Sequence, residues 1–264
     1  MNSGFQLADK PMSVSTAITS CFKLWWSTLG SVILFSSISG FLSMLPALFQ
    51  PVESSGTPNL TPDIKTILIG IVVALINIIP NNAVFAKVIH ASHNTPINSS
   101  QAMAVALTKY VQVLLFMLLL VVIFGIPFAG IGELQNLFSV DNQTKSIWAL
   151  IIAVLFLTYF IVFLTIGVYW TLTIPILISE NINFISAMKK SFSLIKQGWW
   201  YTGAVLSVPF LVGALAQVLL RSLIGKFSIV IGQAIFMPLN VAVLVVLYEH
   251  HKMRSGNIEH YVRD

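Results

Sequence analysis

Six long runs of apolar residues constrain the fold of this chain more than any other feature of its sequence. As a helix, a run of roughly 18 or more apolar residues can cross the ~30 Å hydrocarbon core of a bilayer. Helices satisfy their own backbone hydrogen bonds in lipid, and the sequence lacks the ~10-residue alternating segments of a β-barrel. We therefore predict an all-α polytopic membrane protein, one domain over residues 1–264, with these transmembrane helices: Leu29–Phe49, Ile67–Ile89, Val111–Ile131, Ile147–Ile178, Tyr201–Ile224 and Phe227–Tyr248.

The composition indicates that lipid, rather than water, is the main solvent of the chain. Hydrophobic residues make up 56% of the 264 residues and charged residues only 9%, whereas water-soluble domains carry about 25% charged residues. The net charge of +5 comes mainly from residues outside the apolar runs, so we expect no nucleic-acid partner. The first apolar run is too long for a cleaved secretory signal, and we expect it to be retained.

Basic residues are distributed unequally between the two sides of the six predicted spans. Ten of the 14 Lys and Arg residues fall on one side and four on the other, where acids such as Glu53 and Asp141 offset them. Short loops rich in Lys and Arg remain on the cytoplasmic side of a membrane. We therefore expect both termini to be cytoplasmic, with residues 251–264 as a short tail.

The stretch NINFISAMKKSFSLIKQGWW, residues 181–200, interrupts the apolar runs with a basic helical pattern. Its apolar residues recur every three or four positions from Ile182 to Trp199, so they share one face of a helix. This pattern is typical of a helix lying in the membrane surface, with lysines near lipid phosphates. The alternative is a cytoplasmic helix packed on the ends of the other helices. The predicted lipid contacts are Lys189, Lys190, Lys196, Trp199 and Trp200.

Two earlier stretches resemble this one, SVSTAITSCFKLWW before the first span and INSSQAMAVALTKYV before the third. Ala17, Ala102 and Ala187 occupy equivalent places in the three stretches, at a constant interval of 85 residues. We predict three pseudo-repeats, each an amphipathic surface helix followed by two membrane helices. Their approximate bounds are 12–90, 97–179 and 182–250. The first stretch adds three predicted membrane-surface residues: Lys23, Trp25 and Trp26.

Prolines and asparagines are the main irregularities within the apolar runs. Proline removes a backbone donor and clashes with the preceding helical turn, which predicts kinks at Pro80, Pro175 and Pro238. The sequence NIIPNN surrounds Pro80 with amides, and it is a candidate intramembrane polar site for a headgroup or substrate. The alternative is that these amides hydrogen-bond between helices and hold the bundle together. The amides are Asn77, Asn81 and Asn82.

The sequence lacks the residue patterns of common enzymes and pumps. The spans contain almost no ionisable residues, which ion-driven transporters need. There is no P-loop, no H-E-x-x-H motif and no G-x-S-x-G motif. We expect no Cys or carboxylate to complete a metal site at the pairs His90–His93 and His250–His251. We expect no enzymatic activity, no catalytic residue, no metal and no cofactor.

The segment IPILISENINFISAMKKSFSLIKQGWW resembles the signature of a bacterial membrane-domain family. In that signature, a Pro near the end of a membrane helix precedes an acidic turn and an Ala-x-x-x-Ser-(Phe/Trp)-x-Leu helix that ends in Gly and an aromatic residue. The family is the six-helix membrane domain joined to some glycerophosphodiester phosphodiesterases, which also occurs alone in YciC-like inner-membrane proteins. The matching positions are Pro175, Glu180, Ala187, Ser191, Phe192, Leu194, Gly198 and Trp199.

This resemblance implies a bacterial inner-membrane location and six helices. It does not imply phosphodiesterase activity, because that chemistry belongs to a separate soluble domain. We therefore expect a non-enzymatic protein that binds or organises anionic lipid at the cytoplasmic leaflet, with a role in envelope or lipid homeostasis. The alternatives are a scaffold or assembly partner of another membrane protein, or a carrier of a neutral or lipidic substrate.

Overall fold

The structure, a computed structural model, describes residues 12–48, 64–125 and 145–261. These three ranges are almost entirely helical and contain no strand. A π-helical turn, Val121–Gly125, follows the third helix, and a 3-10 turn, Gly225–Phe227, joins the last two. The helices are α1 Val14–Leu48, α2 Ile64–Ser92, α3 Ser99–Leu120, α4 Lys145–Trp170, α5 Thr173–Ser179, α6 Phe184–Ile195, α7 Trp199–Ile224 and α8 Ser228–Tyr261.

Several of these helices are suited to crossing a membrane. The long, apolar stretches are Val14–Pro46, Lys65–Ser92, Ser99–Gly125, Ala153–Ser179 and Trp199–Ser255. The last stretch contains both α7 and α8, so each of the six predicted segments has a helical counterpart. The prediction of an all-α membrane protein is therefore confirmed. The predicted segment ends at Phe49 and Ile131 lie outside the described residues.

The stretches before the first and third spans differ from the predicted arrangement. α1 and α3 include these stretches and run without a break into the apolar segments, whereas α6 is separate from α7. The difference has a local cause. Gly198 lies between α6 and α7 with φ −141° and ψ 32°, outside the helical range. No Gly or Pro occurs at the corresponding place in α1 or α3 to end the helix.

Three helix starts have the same cap at the interval of 85 residues. The side chains of Ser13, Asn98 and Asn183 each accept a hydrogen bond from the backbone N–H three residues later, at 3.2, 2.8 and 2.9 Å. A side chain that accepts in this way caps the helix and satisfies one of its free donors. Small, fully buried residues follow each cap at four and eight positions: Ala17 and Cys21, Ala102 and Ala106, Ala187 and Ser191.

The three predicted kink prolines lie in α2, α5 and α8. The long apolar run Ile147–Ile178 is interrupted, because α4 ends at Trp170 and α5 begins two residues before Pro175. α2 and α8 remain helical on both sides of Pro80 and Pro238. The interruption after α4 places α5 beside α2, α3 and α8.

α8 is the central helix and contacts α1, α2, α5, α6 and α7. The backbones of α1 and α8 come close at Gly40, where an added Cβ would lie 2.8 Å from the carbonyl oxygen of Val230. In lipid, helices associate through van der Waals packing of this kind, because burial of apolar surface gives little net gain. A hydrogen bond supports the same helix pair, since Trp25 Nε1 donates to the carbonyl oxygen of Ile235 at 2.9 Å.

Two polar contacts join α1, α2 and α8 at one end of the bundle. The backbone N–H of Met12, before α1, donates to Nδ1 of His250 in α8 at 3.0 Å. At the end of α2, His93 Nε2 lies 3.0 Å from Glu249 Oε1. The candidate site lies at this end of α8.

Candidate functional site

A cavity of about 440 Å³ lies where α6 ends and α7 begins. Three helices and one turn contribute to its wall, and we call the lining residues the basic pocket. They include three of the predicted membrane-surface residues, from the turn and from the first turn of α7. The lining residues are Tyr169, Lys196, Gln197, Gly198, Trp199, Trp200, Tyr201 and Arg254.

Gly198 allows the basic pocket to form. A Cβ added at Gly198 would lie 2.8 Å from Cε1 of His251 and 3.2 Å from a guanidinium nitrogen of Arg254, so only glycine leaves room for these two side chains of α8. His251 is fixed from the other side, because its Nε2 lies 2.7 Å from the hydroxyl oxygen of Thr202 in α7. The glycine therefore precedes the first residue of α7 and lets α8 approach.

Lys196 and Arg254 supply the positive charge of the basic pocket. Lys196 is exposed and Arg254 is partly buried. Among the side chains that the structure describes, the ion pairs are His93 with Glu249 and Lys190 with Glu180, so neither pocket cation has a carboxylate partner there. Two cations without a counter-charge create a field that attracts an anion.

Aromatic rings form the apolar part of the basic pocket. Trp200 is 82% exposed, and its ring meets that of Trp199 edge to face with centroids 4.6 Å apart. The Trp199 indole nitrogen is buried without a hydrogen-bond partner in the described part of the chain. Indole rings favour the boundary between hydrocarbon and water. The pocket thus combines positive charge with an interfacial aromatic surface.

Lys190 has a different role from Lys196, although the sequence predicts lipid contact for both. Its Nζ donates to both carboxylate oxygens of Glu180, at 2.6 and 2.8 Å, and the Tyr248 hydroxyl donates to Oε1 at 2.6 Å. Lys109 Nζ donates to the backbone carbonyl oxygen of Glu180 at 2.8 Å. We call these four residues the acid hub. It ties α3, α6 and α8 to the turn after α5.

The acid hub holds its carboxylate in the charged form. Burial by itself raises the pKa of Glu180, but hydrogen bonds from Lys190 and Tyr248, with the attraction of Lys190 and Lys252, outweigh it and lower the pKa below its usual value. Glu180 is therefore ionised at neutral pH, and Lys190 is already engaged with it. Lys189, exposed on the same helix, lines no part of the basic pocket.

α6 combines features of both predicted arrangements. One face packs on other helices through Ala187, Ser191 and Ile195, which are fully buried, and the Ser191 hydroxyl donates to the carbonyl oxygen of Tyr169 at 2.6 Å. The predicted apolar stripe is divided, because Ile185 and Phe192 are 52% and 48% exposed. α6 is therefore anchored on helix ends while it presents apolar and basic side chains outward.

The predicted surface residues of α1 do not line the basic pocket. Lys23 is exposed and Trp26 is 73% exposed. The Trp25 indole lies between helices, where its hydrogen bond to Ile235 links α1 to α8. Of these three residues, Lys23 and Trp26 thus present free surface to the surroundings.

The three predicted amides are separated by the structure. Asn77 Nδ2 donates to the Ser43 hydroxyl of α1 at 2.9 Å, an interhelical bond of the kind that the alternative interpretation expects. Asn81 and Asn82 instead line a second cavity, of about 170 Å³, together with Asn240 of α8. The cluster therefore contains one residue that links helices and two that line a cavity.

Among the side chains that the structure describes, no group of three or more His, Cys, Asp or Glu is placed to hold a metal. His250 and His251 lie within helix α8 and are buried, and each makes a hydrogen bond to a neighbouring element.

Two residues that contribute to the site region were not among the predicted site residues. Arg254 falls in the predicted tail, yet it completes the basic pocket. Glu180 matches the acidic turn of the resembled signature, and that position was the available signal for the acid hub. Comparison of the chain with family models, curated proteins and solved structures gave no match.

Proposed function

We propose that the protein binds anionic phospholipid at the basic pocket and organises lipid at one leaflet of its membrane, without catalysing a reaction. One observation carries this proposal: Lys196 and Arg254 line a single cavity beside an exposed indole and have no carboxylate partner among the described side chains. A phospholipid matches this arrangement, because its phosphate forms charge-assisted hydrogen bonds with Lys and Arg while its chains remain in hydrocarbon.

The proposed leaflet is the cytoplasmic leaflet of a bacterial inner membrane. Anionic lipids give that leaflet a negative surface potential, and each Lys or Arg near it contributes ~1 kcal/mol to attraction. The excess of basic residues on one side of the predicted spans supports this orientation, with both termini on the same side. The resemblance around Glu180 and Trp199 to YciC-like inner-membrane proteins supports the location and a role in envelope or lipid homeostasis.

We also infer that the chain contains three repeats of an amphipathic segment and two membrane helices. The shared caps at Ser13, Asn98 and Asn183, and the buried small residues after them, support this interpretation. Under it, Lys23 and Trp26 contact lipid at the first repeat as the basic pocket does at the third. Two such contacts on one leaflet would attract anionic lipid around the protein.

The test is lipid titration of the full chain in mild detergent, followed by native mass spectrometry. The double variant Lys196→Gln/Arg254→Gln removes both pocket cations. At ~1 kcal/mol for each cation, phosphatidylglycerol should bind about 30-fold more weakly to the variant than to the wild type. Binding of phosphatidylcholine should be weaker in the wild type and change less.

Lys189→Gln is the matched control, because Lys189 is an exposed lysine of α6 outside the basic pocket. It should leave the affinity for phosphatidylglycerol within about twofold of the wild type. Equal affinity of the double variant and the wild type would refute the proposal. A stoichiometric protein subunit that copurifies in place of lipid would favour the scaffold hypothesis instead.

A further inference from the structure

The second cavity lies between α2, α3, α5 and α8, where segments beside the three prolines converge. Its wall includes Asn81 and Asn82 after Pro80, Ile174 before Pro175, and Met237 and Asn240 on either side of Pro238. Its volume of about 170 Å³ is well above the ~10–15 Å³ needed for one water molecule. The cavity is therefore large enough for a polar group of a ligand.

Two polar atoms at this cavity have no partner in the described part of the chain. Asn82 is only 2% exposed, and its side-chain nitrogen makes no hydrogen bond. The side-chain oxygen of Asn81 is also buried and unpaired. A buried donor or acceptor without a partner costs about 1–3 kcal/mol. The cavity therefore offers one unused donor and one unused acceptor.

The lining of the cavity favours an uncharged ligand. Apart from the three asparagines, the residues around it are apolar, and none carries an ionisable side chain. A charge at this place would have no counter-ion in a medium that solvates charge poorly. A hydroxyl group has the chemistry to serve both atoms, because it donates one hydrogen bond and accepts others.

A groove on the surface of the bundle leads to the same place. It lies between α7 and α8, has a volume of about 240 Å³, and shares Met237 and Asn240 with the cavity. Gln217 and Gln233 give it polar positions, whereas exposed Phe210 contributes to an apolar wall. Asn240 is exposed at the junction. A hydrocarbon chain can lie along such a groove while its polar end reaches the asparagines.

We propose that this cavity binds the free hydroxyl of a neutral lipid alcohol, with Asn81 accepting its hydrogen bond and Asn82 donating to it. The lipid chain lies in the groove between α7 and α8. The cavity shares no lining residue with the basic pocket. The two sites are tested by different probes, so failure of one proposal is distinguishable from failure of the other.

The first test compares two ligands on the wild-type full chain in detergent by native mass spectrometry. The probe is 1,2-dioleoylglycerol, and its control is the same molecule with the free hydroxyl acetylated. Loss of the hydroxyl donor should weaken binding about tenfold or more. Equal binding of the two probes, or no binding of dioleoylglycerol, would overturn the proposal.

The second test uses variants at the cavity. Asn81→Leu and Asn82→Leu keep the side-chain size near that of Asn and remove the hydrogen-bonding groups, and each should weaken dioleoylglycerol binding about tenfold. Asn77→Leu is the matched control, because Asn77 bonds to Ser43 and does not line the cavity. Binding that is unchanged in Asn81→Leu and Asn82→Leu would overturn the assignment. The ligand comparison on the wild type decides the case if a variant does not fold.

Discussion

The acid hub and the asparagine cavity use polar side chains in opposite ways. At the acid hub, both carboxylate oxygens and the backbone carbonyl of Glu180 have hydrogen-bond partners, from three different helices. At the cavity, the side-chain oxygen of Asn81 and nitrogen of Asn82 have no partner within the described ranges. The polar groups of the acid hub hold helices together, whereas the unpaired groups of the cavity are available to bind a ligand.

Polar residues that hold helices together and polar residues that bind a ligand look alike in a sequence, but the two regions differ in whether these residues have partners. A satisfied polar network in a membrane protein stabilises one arrangement of helices, and its loss should appear in the free energy of unfolding. An unsatisfied pair costs stability in the empty protein, and its effect should appear in ligand binding. Changes to the two regions should therefore alter stability in opposite directions.

The largest expected effect comes from a change that disturbs both regions together. Gly40→Val would place side-chain atoms against the backbone of Val230 at the contact between α1 and α8. Because α8 supplies Tyr248 to the hub and Asn240 to the cavity, we expect a loss of about 3 kcal/mol in the free energy of unfolding. Titration with sodium dodecyl sulfate, followed by tryptophan fluorescence, measures this loss.

Gly30→Val is the control for that substitution, because it lies in the same helix with no atom within 4 Å of an added Cβ. It should cost less than about 1 kcal/mol, since it disturbs no packing contact. Similar losses for the two variants would show that the added side chain itself, and not close packing of α1 on α8, accounts for the effect.

The next effect concerns the acid hub alone. Glu180→Gln removes the charge that Lys190 and Tyr248 bond, and we expect it to lower the free energy of unfolding by about 1.5–3 kcal/mol. Lys189→Gln, in the same helix as Lys190 but outside the hub, should change it by less than about 0.5 kcal/mol. Equal free energies of unfolding for the two variants would show that the hub contributes little to stability.

The hub should also give stability a dependence on acid pH. The lowered pKa of Glu180 means that its contribution is present above the ordinary carboxyl value of 4.5 and is lost as pH falls through the lower folded value. Wild type and Glu180→Gln should therefore differ at pH 7 and converge at a pH below the lowered folded pKa of Glu180. Thermal unfolding in a non-ionic detergent at both pH values checks this, and a constant difference would contradict it.

The smallest effect, and the one with the opposite sign, concerns the cavity. Asn82→Leu removes an unpaired buried donor, so the empty protein should be unchanged or more stable by up to about 1 kcal/mol. Asn77→Leu breaks the bond to Ser43 and also removes an unpaired side-chain oxygen, so it should instead cost up to about 1.7 kcal/mol. The same detergent titration measures both, and a loss for Asn82→Leu as large as that for Asn77→Leu would place Asn82 among the structural residues.

Much of the fold could be predicted from the sequence, because apolar length and the backbone's need for internal hydrogen bonds leave helices as the main solution in lipid. The 85-residue interval of Ala17, Ala102 and Ala187 also matches local cap geometry, since caps depend on neighbouring residues. What could not be predicted depends on contacts distant in the chain. Lys190 and Lys196 lie in the same basic stretch of the sequence, yet only Lys190 meets Glu180.

The residues of the candidate sites likewise divide into those that the local sequence predicts and those whose position depends on contacts distant in the chain. Lys196, Trp199 and Trp200 could be predicted as membrane-surface residues because basic and aromatic residues at the start of a span are typical of an interface. Arg254 was missed because its approach to them depends on the packing of α8 against Gly198. Asn81 and Asn82 could be predicted as part of a cluster, but their separation from Asn77 and their meeting with Asn240 follow from the packing of α1 and α8 against α2.

The most direct measurement is native mass spectrometry of the full chain extracted gently from its own membrane, with Lys196→Gln/Arg254→Gln and Lys189→Gln prepared in parallel. The account predicts an acidic phospholipid that stays bound to the wild type and to Lys189→Gln and is largely lost from the double variant. Equal retention of acidic phospholipid by all three proteins would contradict the assignment of the basic pocket.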